Sequence, residues 1–193
     1  MAFHVEKTRF FGVFLITPDR FGDARGYFEE TYNREALRAH GINTDFIQDN
    51  QSLSVNRYTI RGLHFQTPPF AQAKLIRVLS GKIFDVAVDI RRGSPTFGQH
   101  ITEELSAENA RQLFIPTGFA HGFCTCSENT VVAYKISAPY APEYDCGLYW
   151  ADPKLGIDWP ASDKQALLSD KDRALPMLEN VENLFEFNQK DFN

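Results

Sequence analysis

Over most of the chain, hydrophobic and polar residues alternate in short runs separated by glycine, proline and asparagine. A period of two marks a strand, because successive side chains point to opposite faces. The clearest run is 82–90. Phe84, Val86, Val88 and Ile90 share one face there, and Ile83, Asp85, Ala87 and Asp89 share the other. Further strands are expected at 10–17, ended by Pro18-Asp19, and at 27–32, with extended segments near 45–55, 58–65 and 73–80. Strands at 111–115, 119–126 and 130–136 complete the run. Turn-rich stretches such as Gly93-Ser94-Pro95 and Pro116-Thr117-Gly118 divide them.

Helices are few. Asn33 has the character of an N-cap and Gly41 of a C′ stop around residues 34–40. After Tyr140, prolines 142, 153 and 160 punctuate a loop-rich stretch. Ser162 and Gln165 have capping-box spacing, which predicts a short helix, and 176–193 reads as a last helix with a frayed end. Many short strands with few helices imply a mostly β sandwich or barrel, and the pattern does not choose between them.

The length of 193 residues suits one domain spanning 1–193. Phenylalanine, with 17 residues, favours strands and lines pockets, so it adds a cavity to the expectation. A net charge of −5 gives no global attraction to nucleic acid or to an anionic membrane, although converging arginines can still hold a small anion. Cys124, Cys126 and Cys146 are odd in number and contain no C-x-x-C pair, which argues against a disulfide scaffold and a zinc site. The first residues lack the basic and apolar regions of a signal peptide, and no apolar run reaches membrane-spanning length. The expected compartment is the cytoplasm.

Three segments place polar residues where the pattern expects strand. In Arg61-Gly-Leu-His-Phe-Gln66, strict alternation puts Arg61, Leu63 and Phe65 on one face and Gly62, His64 and Gln66 on the other. His64 then reads equally as a satisfied core histidine or as part of a polar cavity wall. His121 shares its face with Phe119 and Phe123, and Tyr134 shares its face with Val132 and Ile136; on pattern alone both suit the core. Asp85, inside a strand, is costly to bury unless paired, which makes it a candidate beside a histidine or Lys74. Arg25, on a glycine-flanked turn, reads as readily as a solvated arginine. A metal-binding cupin gathers two close histidines, a carboxylate and a later histidine, whereas Gln66 stands at the second position here. No metal is expected.

The segments 61–66, 82–91, Gly118-Phe-Ala-His-Gly-Phe123 and 150–160, together with Phe21-Gly-Asp-Ala-Arg-Gly26, Gln48-Asp-Asn50 and Leu168-Ser-Asp-Lys-Asp172, resemble the dTDP-4-dehydrorhamnose 3,5-epimerases. The match runs in order from about residue 5 to about residue 178. The resemblance implies a cupin-like β jelly roll, a homodimer, no metal or organic cofactor, and a dTDP-linked 4-keto-6-deoxy sugar as substrate. It makes His64 the base, Asp172 the partner of its other ring nitrogen, Tyr134 the acid, and Lys74 the cation beside the substrate's O4. Asp85 would hold that lysine or the histidine. Arg61, Arg25 and Lys171 would meet the substrate with its diphosphate, Gln48, Asn50, Glu30 and His121 would add contacts, and Phe28 and Tyr140 would border the base. Part of each site would come from the partner subunit. One departure stands out: where family members often place Glu directly before Gly, this chain has Cys146 before Gly147, leaving Asp145 or Glu143 for that contact. The competing readings are a monoepimerase acting at C3 or C5 alone, a non-catalytic sugar-binding jelly roll, and a metal-dependent cupin.

Overall fold

The computed structural model describes residues 3–182 and 185–188. The strands are β1 (Phe3–Lys7), β2 (Phe14–Pro18), β3 (Arg20–Asp23), β4 (Gly26–Glu29), β5 (Gln48–Ser54), β6 (Ile60–Gln66), β7 (Lys74–Ser80), β8 (Lys82–Asp89), β9 (Arg91–Arg92), β10 (His100–Ser106), β11 (Gln112–Ile115), β12 (Phe119–Thr125), β13 (Thr130–Ile136), β14 (Asp145–Gly147) and β15 (Phe185–Glu186). Two short helices, α1 (Arg34–Ala39) and α2 (Asp170–Arg173), accompany them. One sheet has the order β1-β2-β11-β7-β13-β5 and the other β10-β8-β12-β6-β14, with antiparallel pairing throughout. The two sheets face each other as a jelly roll. Leu15, Ile76, Val78, Leu113 and Val132 from the first meet Ile83, Ala87, Leu105, Phe119 and Phe123 from the second.

The alternation at 82–90 is seen directly. Ile83 and Ala87 enter that central core, while Val86, Val88 and Ile90 pack on the outer face of the second sheet with Leu63, Phe65 and Leu148. Both faces of β8 are therefore covered, which is why its buried charges, Asp85 and Asp89, need partners. Asp89 finds them in Arg91 (2.7 Å), Ser94 (2.6 Å) and Thr96 (2.7 Å).

The sequence expectations fail mainly at edges. Residues 10–13 turn rather than extend: Val13 donates to the Phe10 carbonyl at 3.1 Å, and the strand starts at Phe14. The strand expected at 27–32 ends at Glu29 and forms a hairpin with β3. β1 and β10 escaped because they are sheet edges rich in charge, as edges that avoid aggregation tend to be. Asn33 does cap α1, its Oδ1 accepting from the Ala36 N–H at 3.1 Å, and Gly41 takes φ +86°. At Ser162 the capping contact forms, with Ser162 Oγ and Gln165 Oε1 at 2.8 Å, but no helix follows. Leu167 instead exchanges backbone hydrogen bonds with Tyr58 and Ile60, so the chain is held extended against the start of β6. The helix expected over 176–193 is replaced, in its described part, by one 3₁₀ turn at Leu178–Asn180 and by β15, which pairs in parallel with β9. Residues 183–184 and 189–193 of that expectation lie outside the described residues. No helix among the described residues is long and apolar enough to cross a membrane.

Candidate active site

Two adjoining hollows of about 520 and 440 Å³ share His64, Lys74, Tyr134 and Lys171, and together form one cleft. Its walls come from opposite sheets. His64 on β6 and His121 on β12 belong to the five-stranded sheet; Lys74 on β7, Tyr134 on β13 and Asn50 on β5 belong to the six-stranded one. Reactive groups held on two facing sheets can address the two faces of a flat substrate.

His64 reaches this cleft through an irregularity in β6. Gly62, at φ +125°, passes so close to β12 that a Cβ on it would stand 2.5 Å from the Gly122 Cα. The β6–β12 register shifts between His121 and Phe123. Strict alternation assigned Arg61 and His64 to opposite faces; the shift brings both to the cleft. Arg61 is steadied by Nε donating to Ser54 Oγ at 3.1 Å and Nη2 donating to the Leu53 carbonyl at 3.1 Å.

Two His–Asp pairs lie side by side, with His64 and His121 directly paired across the sheet. His64 Nε2 is 2.6 Å from Asp172 Oδ1. Asp172 sits on α2, whose N-cap Ser169 accepts the Asp172 N–H at 3.1 Å. Burial works to raise the Asp172 pKa, but hydrogen bonds from His64, Ser169 and the Gly62 backbone outweigh it and hold the group below its ordinary value. An ionised carboxylate only accepts, so the His64 proton belongs on Nε2 and the Nδ1 lone pair is left to act. The second pair joins His121 Nε2 to Asp85 Oδ1 at 2.8 Å. Burial pushes the His121 pKa down against the opposing pull of Asp85, so this imidazole is neutral near pH 7. Each histidine thus commits its Nε2 to its own carboxylate. Among the described residues no three His, Cys, Asp or Glu side chains are grouped to hold a metal.

Lys74 is buried, with Nζ donating to the His64 carbonyl at 3.3 Å. Burial lowers its pKa to about 8 despite the attraction of Asp145 and Asp85. It remains a cation at neutral pH, poised in a poorly hydrated place. Burial raises the Tyr134 pKa against the opposing pull of Arg61 and Asn50. The side chain is held as the neutral, proton-bearing phenol. Toward the other end of the cleft, the Tyr140 hydroxyl donates to Asp145 Oδ2 at 2.9 Å, and Lys171 pairs with the same oxygen. Gln48 lines this end too, its Nε2 donating to Asn50 Oδ1 at 2.8 Å.

Arg25, Phe28 and Glu30 do not line the cleft of their own chain. Arg25 stands on the exposed β3–β4 hairpin, paired with Asp23 at 2.5 Å, and Glu30 accepts from Asn33 at 3.2 Å. Phe28 borders a separate hollow with Arg20 and Tyr27. Of the two carboxylates left open by the departure at Gly147, Asp145 faces the cleft; Glu143 does not line it. The sequence reading missed Ser169, although Ser-x-x-Asp before a turn is a capping signal, and missed Ser52 and Ser54, which share the Asn50 face of β5 by simple alternation.

A family model for dTDP-4-dehydrorhamnose 3,5-epimerase matches residues 7–180. The chain belongs to that family. It is 51% identical over 164 residues to the dTDP-4-dehydrorhamnose 3,5-epimerase of Sinorhizobium fredii, covering 85% of this chain and 84% of the relative. The crystal structure of the Bacillus anthracis epimerase with TDP and PPi bound is 49% identical, with a TM-score of 0.89 over 91% of this chain and 99% of that one. The Legionella pneumophila dTDP-6-deoxy-D-glucose-3,5-epimerase in complex with dTDP-4-keto-L-rhamnose is 42% identical, with a TM-score of 0.92 over 97% of this chain and 100% of that one. Membership places the cleft and its paired histidines within an isomerase fold.

Proposed function

We propose that the chain, as one cytoplasmic domain paired in a homodimer, epimerises dTDP-4-dehydro-6-deoxy-α-D-glucose at C3 and C5. The product is dTDP-4-dehydro-β-L-rhamnose, on the way to dTDP-L-rhamnose. The observation that carries this reading is the single cleft in which His64, backed by ionised Asp172, faces Tyr134 and buried Lys74 from the opposite sheet.

Carbons 3 and 5 flank the C4 ketone, so their protons are the acidic ones. His64 Nδ1 takes a proton from one face. The C–H electron pair becomes the enolate double bond, and the carbonyl pair moves to O4, where the Lys74 ammonium steadies the developing charge. The Tyr134 hydroxyl then returns a proton to the opposite face. The ketone itself acidifies both carbons, so the chemistry asks for no redox group. Lys171 and Arg61, whose Nη1 has no protein partner among the described residues, are the cations for the diphosphate, and Tyr140 offers a flat ring to the base. Asp145 stands in for the family's glutamate, and His121 adds a neutral acceptor.

The exposed β3–β4 hairpin supports the dimer. Phe21, Tyr27 and Phe28 are all more than half exposed there, beside Arg25. A partner subunit that takes up this hairpin would bring Arg25, Phe28 and Glu30 to a cleft they do not reach in their own chain. The test is to incubate the purified protein with the substrate and read the product by NMR. Inversion at C3 and C5 supports the reading; inversion at one carbon makes the protein a monoepimerase; no conversion by folded protein overturns it.

A further inference from the structure

Among the described residues only two buried side-chain polar atoms have no hydrogen bond: Ser52 Oγ and Asp85 Oδ2. Buried polar groups are nearly always paired, so each orphan calls for a reason. Asp85 has one close by, since the Lys74 ammonium and His121 attend the same carboxylate. Ser52 has none.

Its setting narrows the explanation. Gln48, Asn50, Ser52 and Ser54 alternate along β5 and share one face. Gln48 Nε2 donates to Asn50 Oδ1, and Ser54 Oγ accepts from Arg61 Nε. Every polar side chain in the row has a protein partner except Ser52, which lines the cleft with Arg61, His64 and Tyr134. Its register partner on β13 is Val132, two residues from Tyr134, so it stands beside the proton-transfer pair. It also lies in the 520 Å³ half of the cleft, away from Tyr140 and Asp145.

We infer that Ser52 is a recognition residue whose hydroxyl bonds the C2 hydroxyl of the substrate's hexose. This rests on the epimerase reading above and adds to it the group that keeps the sugar in place. C3 and C5 both invert and C4 becomes the enolate carbon, so their substituents move during turnover. C2 is untouched by the chemistry. A bond to its hydroxyl holds the ring while protons are exchanged on either side, and a site built to pair a substrate hydroxyl discriminates against analogues that lack it.

The experiment compares wild type with Ser52→Ala on dTDP-4-dehydro-6-deoxy-glucose and on its 2-deoxy analogue, with dTDP affinity and Tm measured alongside. For Ser52→Ala, kcat/KM on the full substrate is expected to fall about tenfold or more, with Tm and dTDP affinity unchanged. The wild type is expected to lose a similar factor on the 2-deoxy analogue, and the variant to lose nothing further there. Unchanged kcat/KM in the variant overturns the inference. A parallel loss of dTDP affinity also overturns it, by assigning the hydroxyl to the diphosphate. A lowered Tm with the analogue penalty intact overturns it in favour of a structural hydroxyl. Absence of turnover by wild type itself sinks the epimerase reading instead, which keeps the two failures apart.

Discussion

The two His–Asp pairs are built from the same side chains and sit next to each other, yet their surroundings give them different work. His64 is 31% exposed and opens on the cleft, while His121 is 8% exposed and its carboxylate partner is fully buried. Asp172 comes from a one-turn helix after a long loop, and several hydrogen bonds keep it ionised. Asp85 comes from the middle of a strand covered on both sides. A histidine that must take and release a proton needs a stable anion behind it and room to meet substrate. A histidine in a dry place, with burial holding it neutral, is suited to accept a hydrogen bond and stay unchanged. The pair alone does not make a base; its exposure and the state of its carboxylate do.

The sharpest way to break this comparison is to remove the groups around the reacting carbons in turn. His64→Ala is expected to lose roughly 10³-fold or more in kcat with the fold intact by circular dichroism, within the range for a general base. Activity near wild type would show that the base is elsewhere. Lys74→Met should cost about 10²–10³-fold in kcat, as for loss of a group that steadies an oxyanion. Because Lys74 carries a pKa of about 8, kcat/KM in the wild type should fall as pH rises through that value, and the limb should vanish in the variant. Asp172→Asn should cost on the order of 10²-fold by disturbing the His64 tautomer, with KM little changed. It should also flatten the acid limb of stability. The Asp172 pKa is depressed in the fold, so its contribution is present above the ordinary carboxylate value of about 4 and is lost as pH falls through the folded value. Chemical denaturation across acid pH reads this.

A smaller effect separates His121. Its folded pKa lies below the ordinary value of about 6.5, so the unfolded chain binds the proton more readily. Its contribution to stability is therefore present above that value and declines as pH falls below it. His121→Gln should lack this part of the decline as pH falls below about 6.5, seen as a shallower dependence of Tm on pH.

The sequence made the strand pattern and much of the cleft legible for physical reasons that differ by residue. β8 was readable because, beyond Lys82 at its start, both of its faces are apolar except at Asp85 and Asp89, and those two had to be paired. His64 was visible as an oddity in a strand, but its side of the sheet relative to Arg61 was not, because the shift at Gly62 depends on how closely β12 passes. Asp172 lies 108 residues from His64, and no local pattern connects them; the link came from resemblance to a family. Ser52 was invisible because a serine in a polar strand is ordinary until its partners are counted. The helix expected after Ser162 failed because its short capping signal was overruled by backbone bonds from Leu167 to the start of β6.

The most direct test of the central claim is proton exchange in heavy water, with His64→Ala and His121→Ala assayed beside wild type on dTDP-4-dehydro-6-deoxy-glucose. Wild type is expected to place deuterium at C3 and C5. His121→Ala should do so more slowly, and His64→Ala at neither carbon. Deuterium entering at the wild-type rate in His64→Ala, with exchange lost in His121→Ala, would exchange the roles of the two pairs and contradict the account.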